Sequence, residues 1–160
     1  MHLALLYKTL RNLQSSLVMW ENLNAVHKKT YGERTHYLAA DHKNIGTCKL
    51  GLNKPEEAME SFQRAELLIK EGLATQDMTE EEKKDEKTQL ATVYFSMYLC
   101  LTAQEKYPEA LIFNEKNRAL NVEVYGENDL NVSNNHYLSA QIMMKQLKTK
   151  EALDEIEESN

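Results

Sequence analysis

Small and apolar residues recur along this chain in runs of helical spacing separated by short breaks. From Tyr37 to Leu52 they fall at Leu38, Ala39, Ile45, Gly46 and Cys48; Asn53-Lys54-Pro55 interrupts them; from Glu56 to Ile69 they resume at Ala58, Phe62, Ala65, Leu68 and Ile69. Intervals of three and four residues place each set on one face of an α-helix. Pro55 suits the first turn of a helix, where its missing N–H costs little, so it marks a start rather than a kink. A break of only a few residues forces the two helices to lie antiparallel and in contact.

The helix pair repeats. Ser16, Ala58, Ala110 and Ala152 stand at equivalent anchor positions, spaced 42, 52 and 42 residues apart. Ser15-Ser16-Leu17-Val18-Met19-Trp20-Glu21, then Ala25 and Tyr31-Gly32-Glu33, match Glu109-Ala110-Leu111-Ile112-Phe113-Asn114-Glu115, Ala119 and Tyr125-Gly126-Glu127 at a constant offset of 94. Each of these glycines sits where a helix should end, because the left-handed conformation of a C-terminal cap is open to a residue without Cβ. The spacing predicts one domain of units at about 1–33, 34–76, 88–127 and 128–160, with a charged insertion at about 77–87. A unit of this length cannot bury its own apolar face and must stack on its neighbours. Such stacking leaves an inner surface available to a partner. In this register Met1 falls within a first helix and Asn160 within a second, so the chain is expected to belong to a larger protein or complex.

Composition narrows the picture further. With 42% hydrophobic and 28% charged residues and only 5 Gly and 2 Pro, a loop-rich or disordered chain is excluded. The longest apolar run, about 90–103, is too short to span a membrane. Net charge is −6, but Glu151, Asp154, Glu155, Glu157 and Glu158 contribute −5 within the last ten residues. No run of Lys or Arg exceeds a pair, which argues against nucleic acid as a partner. Cys48 and Cys100 occupy one equivalent position in neighbouring units, too far apart for a disulfide, so two free buried thiols and an intracellular, reducing compartment such as the cytoplasm are expected. In the insertion, Thr79-Glu80-Glu81-Glu82 has the form of a capping box, and Glu80 and Lys84 are i,i+4 partners; the insertion should therefore lengthen the next helix at its start.

At the residue level the units resemble tetratricopeptide repeats. Ala58, Phe62 and Ala65 match that family's second helix, Ile45-Gly46 match its Leu-Gly position, and Tyr107-Pro108-Glu109-Ala110 match its turn, with Glu105 in place of glycine. A 42-residue unit closing on Tyr-Gly-Glu is more similar to the kinesin light-chain subtype. Ser16 at the anchor, Asn114 and Asn117 in place of an aromatic and an alanine, and His42 and His136 at an apolar position depart from the pattern. The resemblance implies an all-α, right-handed superhelical stack of antiparallel helix pairs, an α-solenoid of about four units with incomplete ends. It also implies a partner groove lined by the first helix of each unit: Lys8; Lys43, Thr47 and Leu50; Thr92, Phe95 and Leu99; Asn134, Tyr137, Gln141 and Met144. None of these is acidic, and the grooves of that subtype take aromatic residues flanked by acids. A chaperone-tail-binding version of the fold clamps a terminal carboxylate with Lys, Asn and Arg. Here Lys43 stands at one such place, while Thr47, Ser96, Asn134 and Leu138 at the others disfavour that ligand.

The sequence offers little catalytic chemistry. His36, His42 and Cys48 are six apart, which is not the spacing of helical metal ligands, and no phosphate loop or nucleophile elbow is present. The expectation is a scaffold or adaptor that binds a protein or an extended peptide, with no cofactor, no metal and no enzymatic activity. The alternatives are a structural subunit of a large assembly or the regulatory repeat region of a longer enzyme.

Overall fold

The computed structural model describes residues 2–33, 36–75 and 78–158, with side chains described for 11–33, 37–75 and 78–147. Among them the chain forms six helices and no strand: α1 (His2–Tyr31), α2 (His36–Gly51), α3 (Pro55–Leu73), α4 (Glu80–Ala103), α5 (Tyr107–Tyr125) and α6 (Leu130–Glu158). Among the described residues each helix packs on the next, and α2 also touches α4. Contacts thus run along the chain, as stacked units require.

The two inner pairs, α2/α3 and α4/α5, form the predicted helix hairpins. Pro55 opens α3 and Thr79 caps α4, with the complete capping box: Thr79 Oγ1 accepts from Glu82 N (3.2 Å), and Thr79 N donates to Glu82 Oε2 (2.7 Å). Glu80 pairs with Lys83 at 2.8 Å rather than with Lys84, whose ammonium instead lies 6.0 Å from the Tyr125 ring centre. Gly32 and Gly126 end α1 and α5 at φ 89° and 90°. The polar link after Gly32 includes Arg34 and Thr35, which lie outside the described residues.

Both hairpin turns place a non-glycine residue in the left-handed region, Asn53 at φ 60° and Glu105 at φ 58°. In each, the next N–H reaches back to close the turn, Lys54 N to Lys49 O (3.0 Å) and Lys106 N to Leu101 O (2.9 Å). Asparagine tolerates that conformation better than glutamate does. Glu105→Gly is expected to raise stability by about 0.5–1 kcal/mol in chemical denaturation, the relief of strain exceeding glycine's greater unfolded-state entropy. No gain would mean that the turn is not strained.

The outer units differ from the expected pairs. The register placed a turn before Ser16 and another before Ala152, yet α1 and α6 run through both without a break. The residues equivalent to the two hairpin turns are Arg11-Asn12-Leu13 and Leu147-Lys148-Thr149; neither contains glycine or proline, and the left-handed positions of Asn53 and Glu105 fall to Arg11 and Leu147, both good helix formers. The architecture is therefore two hairpins between two long single helices.

The main core lies between the hairpins, where Phe62, Val93, Met97 and Cys100 are fully enclosed with Ala58, Ala65, Leu68, Ile69 and Leu90. Tyr98, Leu101, Ala110 and Ile142 form a second cluster toward α6, and Leu17, Ile45 and Cys48 a third toward α1. Docking of α1 on α2 is completed by His27 Nδ1, 2.8 Å from Oδ2 of the buried Asp41, and by Tyr31 stacked on Tyr37 at 5.0 Å. Cys48 and Cys100 are free and buried, and burial, aided by the charge of Glu56, pushes the Cys100 thiol up to about 11. No helix among the described residues is long and apolar enough to cross a membrane.

Candidate partner-binding clefts

Two clefts open between successive first helices, and they are the same feature one repeat apart. The first lies between α2 and α4, is lined by Ala39, Ala40, Lys43, Ile69, Asp85, Glu86 and Gln89, and has a volume of about 210 Å³. The second lies between α4 and α6, is lined by Thr88, Ala91, Thr92, Phe95, Asn117, Asn121, Tyr125, Asn131 and Asn134, and holds about 280 Å³. By register Ala39 corresponds to Ala91, Ala40 to Thr92, Lys43 to Phe95, Ile69 to Asn121 and Gln89 to Asn131. Each has a first helix on either side and a floor from the second helix between them. Both are smaller than the usual small-molecule site, and each matches the size of one or two side chains.

Their chemistry differs. In the first cleft the Lys43 ammonium donates to Gln89 Oε1 across the gap, tying α2 to α4. Burial lowers the pKa of Lys43, and the charge of Glu86 opposes that shift. Its lining is basic on one wall and acidic on the other. The second cleft carries no ionised group. Phe95, stacked on Tyr98 with ring centres 6.0 Å apart, forms one wall; Tyr125, whose hydroxyl lies 3.3 Å from Thr88 Oγ1, closes one end.

Its floor is an asparagine network. Asn117 Nδ2 donates to the Ala91 carbonyl (2.6 Å), and Asn121 Nδ2 to Asn117 Oδ1 (3.2 Å) and Asn135 Oδ1 (3.0 Å). Asn135 Nδ2 donates to Asn114 Oδ1 (2.8 Å) and Asn117 Oδ1 (2.6 Å). Asn114 Nδ2 returns to Asn135 O and Ser139 Oγ, both at 2.7 Å. All four asparagines are buried, so amides join the apolar cluster around Ile142 in holding α6 on α5.

Of the residues expected to line a groove, Lys43 lies in the first cleft and Thr92, Phe95 and Asn134 in the second. Thr47 is exposed on α2 and donates back to Lys43 O (2.9 Å); Leu99 is exposed on α4. Tyr137 and Met144 are exposed on α6, and Gln141 Nε2 donates to the Tyr137 hydroxyl at 2.8 Å. Leu50 instead packs against the main core, because α1 and α3 close around that end of α2. The side chain of Lys8 lies outside the described residues. The register missed the floor residues Ile69, Asn117 and Asn121. The spacing of Asn114, Asn117 and Asn121, three and then four apart on one helix face, was the signal for the network. Among the described residues no group of His, Cys, Asp and Glu side chains could hold a metal ion.

No model of a known protein family matches the chain, and no curated protein matches it in sequence.

Proposed function

We propose that this chain is a protein–protein interaction scaffold of the tetratricopeptide-repeat kind. It holds an extended peptide or a partner subunit along the face made by α2, α4 and α6. The observation that carries this reading is the pair of register-equivalent clefts, spaced by one repeat along that face and each large enough for one or two side chains. An extended ligand would place successive side chains in successive clefts, with the amides and hydroxyls of the second cleft meeting its backbone. Phe95 supplies aromatic surface in the second cleft and Tyr137 is exposed on α6 three residues from Asn134, while the first cleft offers a ligand Lys43 on one wall and Asp85 and Glu86 on the other. The neutral lining of the second cleft suits binding rather than acid–base chemistry.

Aromatic anchors of this kind carry much of a binding energy. Phe95→Ala and Tyr137→Ala are each expected to weaken capture of a partner about tenfold or more, and together to abolish it. The measurement is quantitative pull-down from lysate with mass spectrometry, followed by titration of the partner identified. Capture unchanged in the double variant overturns the reading. A second reading, a structural subunit of a large assembly, is favoured by the exposed apolar side chains of the outer helices, Met19 and Val26 on α1 and Met143 and Leu147 on α6.

A further inference from the structure

The floor of the second cleft has two polar groups to spare, and the asparagine network fixes which they are. The Ala91 carbonyl can only accept, so Asn117 presents Nδ2 to it and turns Oδ1 the other way. That oxygen receives Nδ2 of both Asn121 and Asn135, which sets the orientation of those amides in turn. Asn121 spends its two N–H groups inside the network, on Asn117 Oδ1 and Asn135 Oδ1. Among the described residues no donor reaches Asn121 Oδ1, and the second N–H of Asn117 has no acceptor. Both residues line the cleft, and both are only 6% exposed. One spare acceptor and one spare donor therefore stand together on α5, on side chains that touch at 3.2 Å. The first cleft has no such pair, because Ala65 and Ile69 hold the equivalent positions.

We propose that the second cleft recognises a carboxamide side chain, glutamine or asparagine, on the bound peptide or partner, a specificity that presupposes the scaffold reading above. A primary amide carries a donor and an acceptor on one edge, since one of its N–H groups lies cis to the oxygen. It gives that N–H to Asn121 Oδ1 and accepts the spare N–H of Asn117, so a fifth amide joins the four. A main-chain peptide group cannot do the same, because it is trans and its N–H and C=O point in opposite directions. An apolar side chain would shut water away from both groups and leave them unpaired. Lysine only donates and glutamate only accepts, and either would bring a charge into a cleft lined by no ionised group. The Lys84 ammonium, 6.0 Å from the Tyr125 ring centre at one end, further opposes a cation. Serine and threonine fill little of a space of about 280 Å³. Phe95 on the wall offers a flat face to the planar amide, and the exposed Asn131 and Asn134 are left for the main chain of the ligand.

The test is an NMR titration of the isotope-labelled full chain with five single residues, glutamine, asparagine, leucine, glutamate and lysine, each blocked as the N-acetyl N-methylamide. All five carry the same two main-chain amides, so differences between them report the side chain. Glutamine or asparagine is expected to shift the side-chain N–H signals of Asn117 and Asn121, and to bind about tenfold more tightly than the other three. Asn121→Ile, which installs the residue of the first cleft, should remove that preference. Because Asn121 is part of the network, Thr92→Phe serves as a second variant: position 92 is exposed on α4, and a ring there plugs the cleft without touching the core. It too should abolish the shifts. Equal binding of all five probes, which is main-chain recognition, overturns the proposal, as does preference for leucine, glutamate or lysine, no shift at the highest soluble concentration, or glutamine binding undiminished in Thr92→Phe. The scaffold reading is judged separately, by capture of a partner in the Phe95→Ala and Tyr137→Ala chains: capture that depends on those rings while the amide probes show no preference sinks the carboxamide specificity alone.

Discussion

Phe62→Ala lowers the stability of this chain by about 3–5 kcal/mol, the cost of emptying the centre of the main core. The Phe62 ring is fully enclosed, and it lies against Gly46 so closely that a Cβ there would come within 2.7 Å of Phe62 Cε1 and 2.9 Å of two other ring carbons. The missing side chain of α2 is the room for the ring of α3. Gly46→Ala therefore also destabilises, by about 1–3 kcal/mol, even though alanine favours a helix over glycine by about 1 kcal/mol. In a Phe62→Leu background the second cost should shrink, because a smaller side chain leaves space for the added methyl. The measurement is urea denaturation of the four chains. Additive costs would show that the ring and the glycine are not interlocked.

The next hairpin solves the same contact in reverse. Tyr98 stands where Gly46 does, and Asn114 where Phe62 does, so the bulky side chain now comes from the first helix and the small one from the second. This exchange explains why the repeat was legible while part of its interior was not. Spacing, Pro55, Gly32, Gly126 and the Thr79 capping box are local signals, and they located both hairpins. Large and small partners are chosen across 16 residues of sequence, so Asn114 viewed alone is merely a departure from the pattern. The missing turns in α1 and α6 failed for the opposite reason: their positions came from register alone, with neither glycine nor proline present to break a helix. The clefts were half legible. Their walls lie on first helices, where the register named Lys43, Thr92, Phe95 and Asn134, but their floors come from second helices, and the asparagine floor exists only because Asn135 faces α5.

That floor gives the second large expected effect. Asn135→Val leaves Asn114 Oδ1 without the donor shown at 2.8 Å and takes from Asn121 Nδ2 one of its two acceptors, the one at 3.0 Å, leaving Asn117 Oδ1 at 3.2 Å; both groups lie deep between α5 and α6. A stranded buried group costs about 1–3 kcal/mol and a lost hydrogen bond about 1 kcal/mol, so the single substitution should cost about 2–4 kcal/mol, measured by chemical denaturation. Valine is not foreign to the position: Val93 occupies it one unit earlier, fully buried, where the facing second-helix residues Phe62, Ala65 and Ile69 are apolar. The penalty is therefore a property of the network and not of the site. Replacing Asn114, Asn117, Asn121 and Asn135 together by valine removes donors and acceptors in step, and should recover more than half of the loss. The restored chain would have an apolar floor in its second cleft. If Asn121 and Asn117 serve the ligand as proposed, it should regain its stability while binding its partner more weakly. Four independent, additive costs would mean instead that each asparagine is held by its own surroundings and that no shared network exists.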